Sequence, residues 1–150
     1  MIALLCTLTL LAVPAQSETA IQLSLHQEYG RARFRECRLS VGTYGGASTA
    51  SVFCVWNDKA ATELSRERRL TTEEASRLAG LARDSRLMSG GHIGTDTRAG
   101  DGILETLMVT DSTGTGILVT SGNASFTTGA RRRLLDALHT LLYEFQKSAK

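Results

Sequence analysis

The Gly45-Gly46 pair restricts the fold of this chain more than any other feature. Gly-Gly between two extended runs is a strong signal for a two-residue hairpin loop, because both turn positions need positive φ. It joins a strand predicted over about residues 31–43 to another predicted over about residues 47–56. With these glycines as the loop, paired residues sum to 91, and Cys37 and Cys54 meet that condition. Counting outward from the hydrogen-bonded pair Tyr44–Ala47, the cysteines fall at a non-hydrogen-bonded position, where side chains approach most closely. Leu39 opposite Val52 and Val41 opposite Ala50 share that face. The register therefore predicts a Cys37–Cys54 disulfide on the core side, with Arg35 facing Trp56 at the end of the ladder as a cation–π pair.

A structural disulfide calls for an oxidising compartment, and the start of the chain points to one. Ile2–Val13 is an uninterrupted run without charge (IALLCTLTLLAV), and Glu18 is the first charged side chain. Such a run has the length of a signal-peptide core and is too short to span a bilayer. Val13, Ala15 and Ser17 supply the small residues that cleavage requires, although no Lys or Arg precedes the run. Residues 1–17 are accordingly read as a signal peptide that carries Cys6 away with it. Residues 18–150 form a single domain, periplasmic or secreted. No later segment is long and apolar enough to anchor it in a membrane.

With 42% hydrophobic and 21% charged residues in a chain of 150, one globular domain is the expected size class. A formal charge of +2 gives none of the basic footprint of a nucleic-acid-binding surface. Ile21, Leu23 and Leu25 alternate with Gln22, Ser24 and His26, the period of a half-buried strand. After the hairpin comes a polar, charged stretch, Asn57–Arg69, expected to be a linker. Thr71 and Glu74 then have capping-box spacing, opening a helix with Ala75, Leu78, Leu81 and Ala82 on one face and an end near Arg86 or Leu87. Ile103–Thr110 and Ile117–Thr120 read as a second hairpin, central in the sheet because both faces are apolar. The last helix runs from about Thr128 to Gln146 with a leucine-rich stripe ending in Phe145. The order β-β-β-α-β-β-α predicts a two-layer α+β fold. Its sheet is about five-stranded and mainly antiparallel, with both helices on one face.

Chemistry-bearing residues concentrate in the glycine-rich stretch Met88–Gly102, which holds His92, Asp96, Arg98 and Asp101. A loop of that length without structure of its own is often functional. These four residues are the candidate binding site. Their spacing matches neither an EF-hand nor a zinc motif, and no helix with Lys-Ser or Lys-Thr follows the glycines to cradle phosphate. No metal or cofactor is therefore implied. Nucleophilic chemistry lacks a G-x-S-x-G elbow, and the presumed bridge removes the two cysteines that would follow the leader. His26 and His139 are expected to be boundary residues. Arg131-Arg132-Arg133 opens the last helix against its macrodipole, which calls for an acidic neighbour or partner. Asn123-Ala124-Ser125 is a glycosylation sequon, meaningful only in a eukaryotic secretory pathway.

Export, small size and one staple, without a catalytic constellation, favour a non-enzymatic binding protein of the bacterial periplasm. An inhibitor or immunity-type partner of another secreted protein would have this form. One alternative is a small hydrolase, metal-assisted or not, that uses Asp96, Asp101 and His92. Another is an accessory subunit of an envelope complex, docked through Phe53 and Val55 on the outer strand face.

Overall fold

A computed structural model describes residues 21–29, 34–44, 47–56, 63–89, 93–95, 103–121 and 129–148. Residues 1–17, the stretch read as a signal peptide, lie outside them. The elements are β1 (Gln22–Glu28), β2 (Phe34–Tyr44), β3 (Ala47–Trp56), β4 (Glu63–Arg69), α1 (Thr72–Ser85), β5 (Ile93–Thr95), β6 (Leu104–Asp111), β7 (Gly114–Ser121) and α2 (Gly129–Lys147). They build one sheet in the order β4-β3-β2-β1-β6-β7-β5. Six strands are antiparallel neighbours, and the short β5 pairs in parallel with β7. The α+β class and the two-layer arrangement agree with the sequence reading.

Two strands exceed that reading. β4 occupies the stretch expected to be a linker, because ELSRERR holds a single apolar residue and shows no alternation of hydrophobicity. It is an edge strand, so it pairs through its backbone with β3 and buries only Leu64. Its charges suit an edge, since they discourage pairing with a further strand. β5 takes three residues, Ile93–Thr95, from the glycine-rich stretch expected to be unstructured. Three residues are too few for a periodic signal.

The first hairpin has the predicted register, with Tyr44 opposite Ala47 and Cys37 opposite Cys54. The cysteines form a disulfide with a Cα–Cα separation of 4.1 Å. The expected Arg35–Trp56 pairing fails, because the register shifts between Phe34 and Glu36. Phe34 stands opposite Trp56, and a bulge takes Arg35 out of the ladder.

Both helices cover the face that carries Leu25, Leu39, Val52, Leu107, Val109 and Leu118. Thr71 caps α1 with the full capping box, its hydroxyl accepting from the Glu74 amide while the Glu74 carboxylate accepts from the Thr71 amide. α1 begins beside β4 and ends over β7, where a Cβ on Gly116 would stand 2.1 Å from the Leu87 carbonyl oxygen. Only glycine lets the turn after α1 lie that close to the sheet. α2 runs back antiparallel to α1. Arg131 in its first turn donates to the Ser85 carbonyl at the α1 C-terminus, 3.2 Å away. Arg132 pairs with Asp136 at 2.8 Å. Of the three arginines at the start of α2, Arg132 thus finds an acidic partner within the chain and Arg131 a helix-end carbonyl. At the opposite end, the Arg68 guanidinium joins β4 to both helices, 2.8 Å from Glu74 and 3.3 Å from Glu144. This holds the Glu74 carboxyl down at about 2, chiefly through the Arg68 hydrogen bond.

The cysteines are 17 residues apart in sequence, and closing a loop of that size stabilises by roughly 3 kcal/mol in the chain-entropy model. A Cys37→Ser, Cys54→Ser double variant should lose about that much in urea unfolding. An unchanged midpoint would show that the staple contributes nothing.

Candidate functional site

His92, Asp96, Arg98 and Asp101, the candidate site from sequence, lie outside the described residues. What the structure does bring together is a set of polar side chains that sequence reasoning assigned to boundaries or passed over. Cys54, Cys37, Gln27, Glu105 and Thr120 are successive register partners on β3, β2, β1, β6 and β7. They form one row across the helix-covered face. Gln27, Glu105 and Thr120 are all buried, at 5%, 5% and 8% exposure.

α2 lies along this row. His139 Nε2 is 2.6 Å from Glu105 Oε1 above β6, and Gln146 donates to Cys37 Sγ at 3.3 Å above β2. Seven helical residues rise about 10.5 Å. Two strand spacings, from β6 to β2, are about 9.6 Å. The helix therefore crosses the strands steeply, and one of its edges tracks a single row of the sheet.

Glu105 is the hub. Its Oε1 accepts from the Gln27 amide and meets the His139 ring, and Thr120 donates to Oε2 at 3.4 Å. Gln27 in turn accepts from the Tyr29 hydroxyl. Burial pushes the Glu105 carboxyl up. The hydrogen bond and positive charge of His139, with bonds from Gln27 and Thr120, outweigh this and hold the group below its usual value. For Tyr29, burial dominates and raises the hydroxyl, with Glu105 adding to the rise and a Gln146 hydrogen bond opposing it. A carboxylate so fully hydrogen-bonded is a poor base. Through His139 the arrangement ties α2 to the sheet.

A sequence signal for the row exists in the strand alternation. Gln27 has the parity of the core residues Leu23 and Leu25, Glu105 that of Leu107 and Val109, and Thr120 that of Leu118. A charged or amide side chain at core parity demands a buried partner. His139 and Gln146, seven apart on α2, lie on one face of that helix.

Among the described residues no helix lies over the other face of the sheet. Ser24, Ser40, Ser51 and Glu67 are register partners across its centre. The three small serine side chains leave a concavity of about 450 Å³, also bordered by Glu67, Gln22, Thr49, Met108 and Thr110. Met108 on its border is exposed at 40%, Leu104 farther along the same face of β6 at 36%, and Phe53 and Val55 on β3 are half-buried. Toward the strand ends, His26 Nε2 stands 3.2 Å from Glu36, which also takes Arg38 at 2.7 Å. Among the described residues no three His, Cys, Asp or Glu side chains converge on a metal-sized point.

Because its folded value is lowered, Glu105 stabilises the fold fully above its ordinary value of 4.5. That contribution is lost as pH falls through this value toward the lower folded one. Glu105→Gln should therefore be less stable than the parent at about pH 7, with the gap narrowing toward about pH 3, in urea unfolding. A gap independent of pH would mean that the carboxylate charge contributes nothing.

No protein-family model matches this sequence, and no similar protein emerges among curated ones.

Proposed function

We propose that the chain is an exported, non-enzymatic binding protein that meets another secreted protein through its uncovered sheet face, as an inhibitor or immunity-type partner would. The observation that carries this reading is the asymmetry of the sheet. One face is closed by two helices, and the other presents a shallow, serine-lined concavity bordered by exposed Met108, with exposed Leu104 farther along β6. A sheet face is a rigid platform, so a partner that binds it loses little to ordering the surface. Short hydroxyl side chains let a partner approach the strands closely, and the apolar rim supplies area to bury.

Export is supported by the apolar leader Ile2–Val13 and by the Cys37–Cys54 disulfide, a bond that persists in oxidising compartments. Among the described residues no helix is long and apolar enough to cross a membrane. A role as accessory subunit of an envelope complex uses the same face but shifts the contact to Phe53 and Val55 on β3, which are half-buried there.

The test is capture from the envelope fraction of the source by immobilised, oxidised protein, read by mass spectrometry. One stoichiometric partner is expected. It should be lost with Met108→Asp and kept with Tyr143→Ser, a control at an exposed position on α2. Loss with Phe53→Ser alone would favour the accessory-subunit contact. Loss with His92→Ala, Asp96→Ala and Arg98→Ala together, and not with Met108→Asp, would move the binding surface to the glycine-rich stretch. A clean blank would count against a binding protein altogether.

A further inference from the structure

The Cys37–Cys54 disulfide is completely buried, with both cysteines at 0% exposure. Its cover is the end of α2. The Gln146 amide lies 3.3 Å from Cys37 Sγ and 4.0 Å from Cys54 Sγ. Phe145 and Leu142, also buried, belong to the same core cluster as the two cysteines. Two helical turns before Gln146, His139 is joined to Glu105 in the same row of the sheet. The link that fastens α2 and the sulfurs that α2 hides are thus two ends of one contact.

We propose that this link gates the disulfide. A thiol reductant reaches the sulfurs only when the C-terminal half of α2 lifts from the sheet, and the Glu105–His139 bond sets how often it lifts. In the lifted state, a thiolate of a dithiol attacks one cysteine Sγ, forms a mixed disulfide and expels the other sulfur as a thiolate. The second thiol of the dithiol then attacks its own bridging sulfur and releases the first cysteine. The products are two protein thiols and the oxidised, cyclic dithiol, a two-electron transfer with protons following the thiolates. Local opening has a smaller free-energy cost than global unfolding because it breaks only the contacts of one segment. Past His139 those contacts are the buried Leu141, Leu142 and Phe145, the Arg68–Glu144 pair at 3.3 Å, the Gln146 cap and the Ser148 hydroxyl 3.5 Å from Arg66. The gate makes the staple's redox state depend on the docking of α2. A partner that pulls α2 away would expose the bond to the thiol–disulfide enzymes of an oxidising compartment, and a docked helix would shield it.

The oxidised full chain is incubated with dithiothreitol, quenched with iodoacetamide at intervals, and the alkylated Cys37 and Cys54 peptides are quantified by mass spectrometry. Cys6 appears on a separate peptide. Reduction of the parent should be far slower than in high urea and only weakly dependent on low urea, the mark of local opening. Glu105→Gln and His139→Gln should each accelerate it by about tenfold or more, the effect of losing one charge-assisted hydrogen bond. Gln146→Ala, which removes cover but not the link, should accelerate it less. Three results would overturn the proposal. They are a folded parent reduced as fast as unfolded chain, a parent whose reduction follows urea as steeply as global unfolding, or rates unmoved by Glu105→Gln. If Glu105→Gln fails to fold, the urea dependence of the parent and the Gln146→Ala rate decide the matter.

Discussion

Placing an ionised carboxylate between a sheet and the helix that covers it is costly unless it is hydrogen-bonded there, and Glu105 has three side-chain partners. The partners come from three elements, Gln27 on β1, Thr120 on β7 and His139 on α2, and Tyr29, just after β1, donates in turn to Gln27. Satisfied, the buried charge fixes where α2 sits along the sheet, because only one position of the helix brings His139 over β6 and Gln146 over the disulfide. Removing His139 takes the charged partner from the buried Glu105 carboxylate, a costly change for a buried ion. Leucine packing alone would hold α2 down but would tolerate sliding along the stripe, since leucines substitute for one another over neighbouring positions. The polar row therefore supplies registry, and the leucines supply most of the adhesion.

The rest of the architecture is consistent with that registry. With α2 positioned, its N-terminus meets the end of α1 through Arg131 and the Ser85 carbonyl. Its other end meets β4 and the start of α1 through Arg68 and Glu144. The Arg68 pairs are partly exposed and worth little each. They matter more as a closure of the loop β4–α1–α2 than as separate sources of stability. Gly116 allows the turn after α1 to lie against β7, and α1 then runs beside α2 along the same face. Because both helices are committed to one face, no helix among the described residues covers the opposite face, and the proposed binding role rests on that consequence.

Most of this was legible in the sequence wherever a single physical rule dominates. The Gly45-Gly46 turn fixes the hairpin register, and the register fixes the disulfide. The capping box marks the start of α1, and the leucine stripe marks α2. What was not legible lacks a local rule. β4 has one buried residue and exists because β3 offers an unpaired edge, a tertiary reason invisible in ELSRERR. The bulge at Arg35 displaces the expected Trp56 pairing by one residue, and nothing in the local sequence marks that shift. The polar row was half-legible, since Gln27 and Glu105 stand at core parity, but their shared row appears only once β1 and β6 are known to pair. His92, Asp96, Arg98 and Asp101 lie beyond the described residues, so the structure adds nothing to their reading.

The central claim is that Glu105 and His139 act on each other, not separately, to hold α2 on the sheet. A double-mutant cycle with Glu105→Gln and His139→Gln, followed by urea unfolding at about pH 6, tests it most directly. The account predicts a coupling energy of about 1 kcal/mol or more, within the range for contacting residues of a charged network. Additive losses would contradict it, and would mean that the helix is held by its leucine stripe with the carboxylate as a passenger.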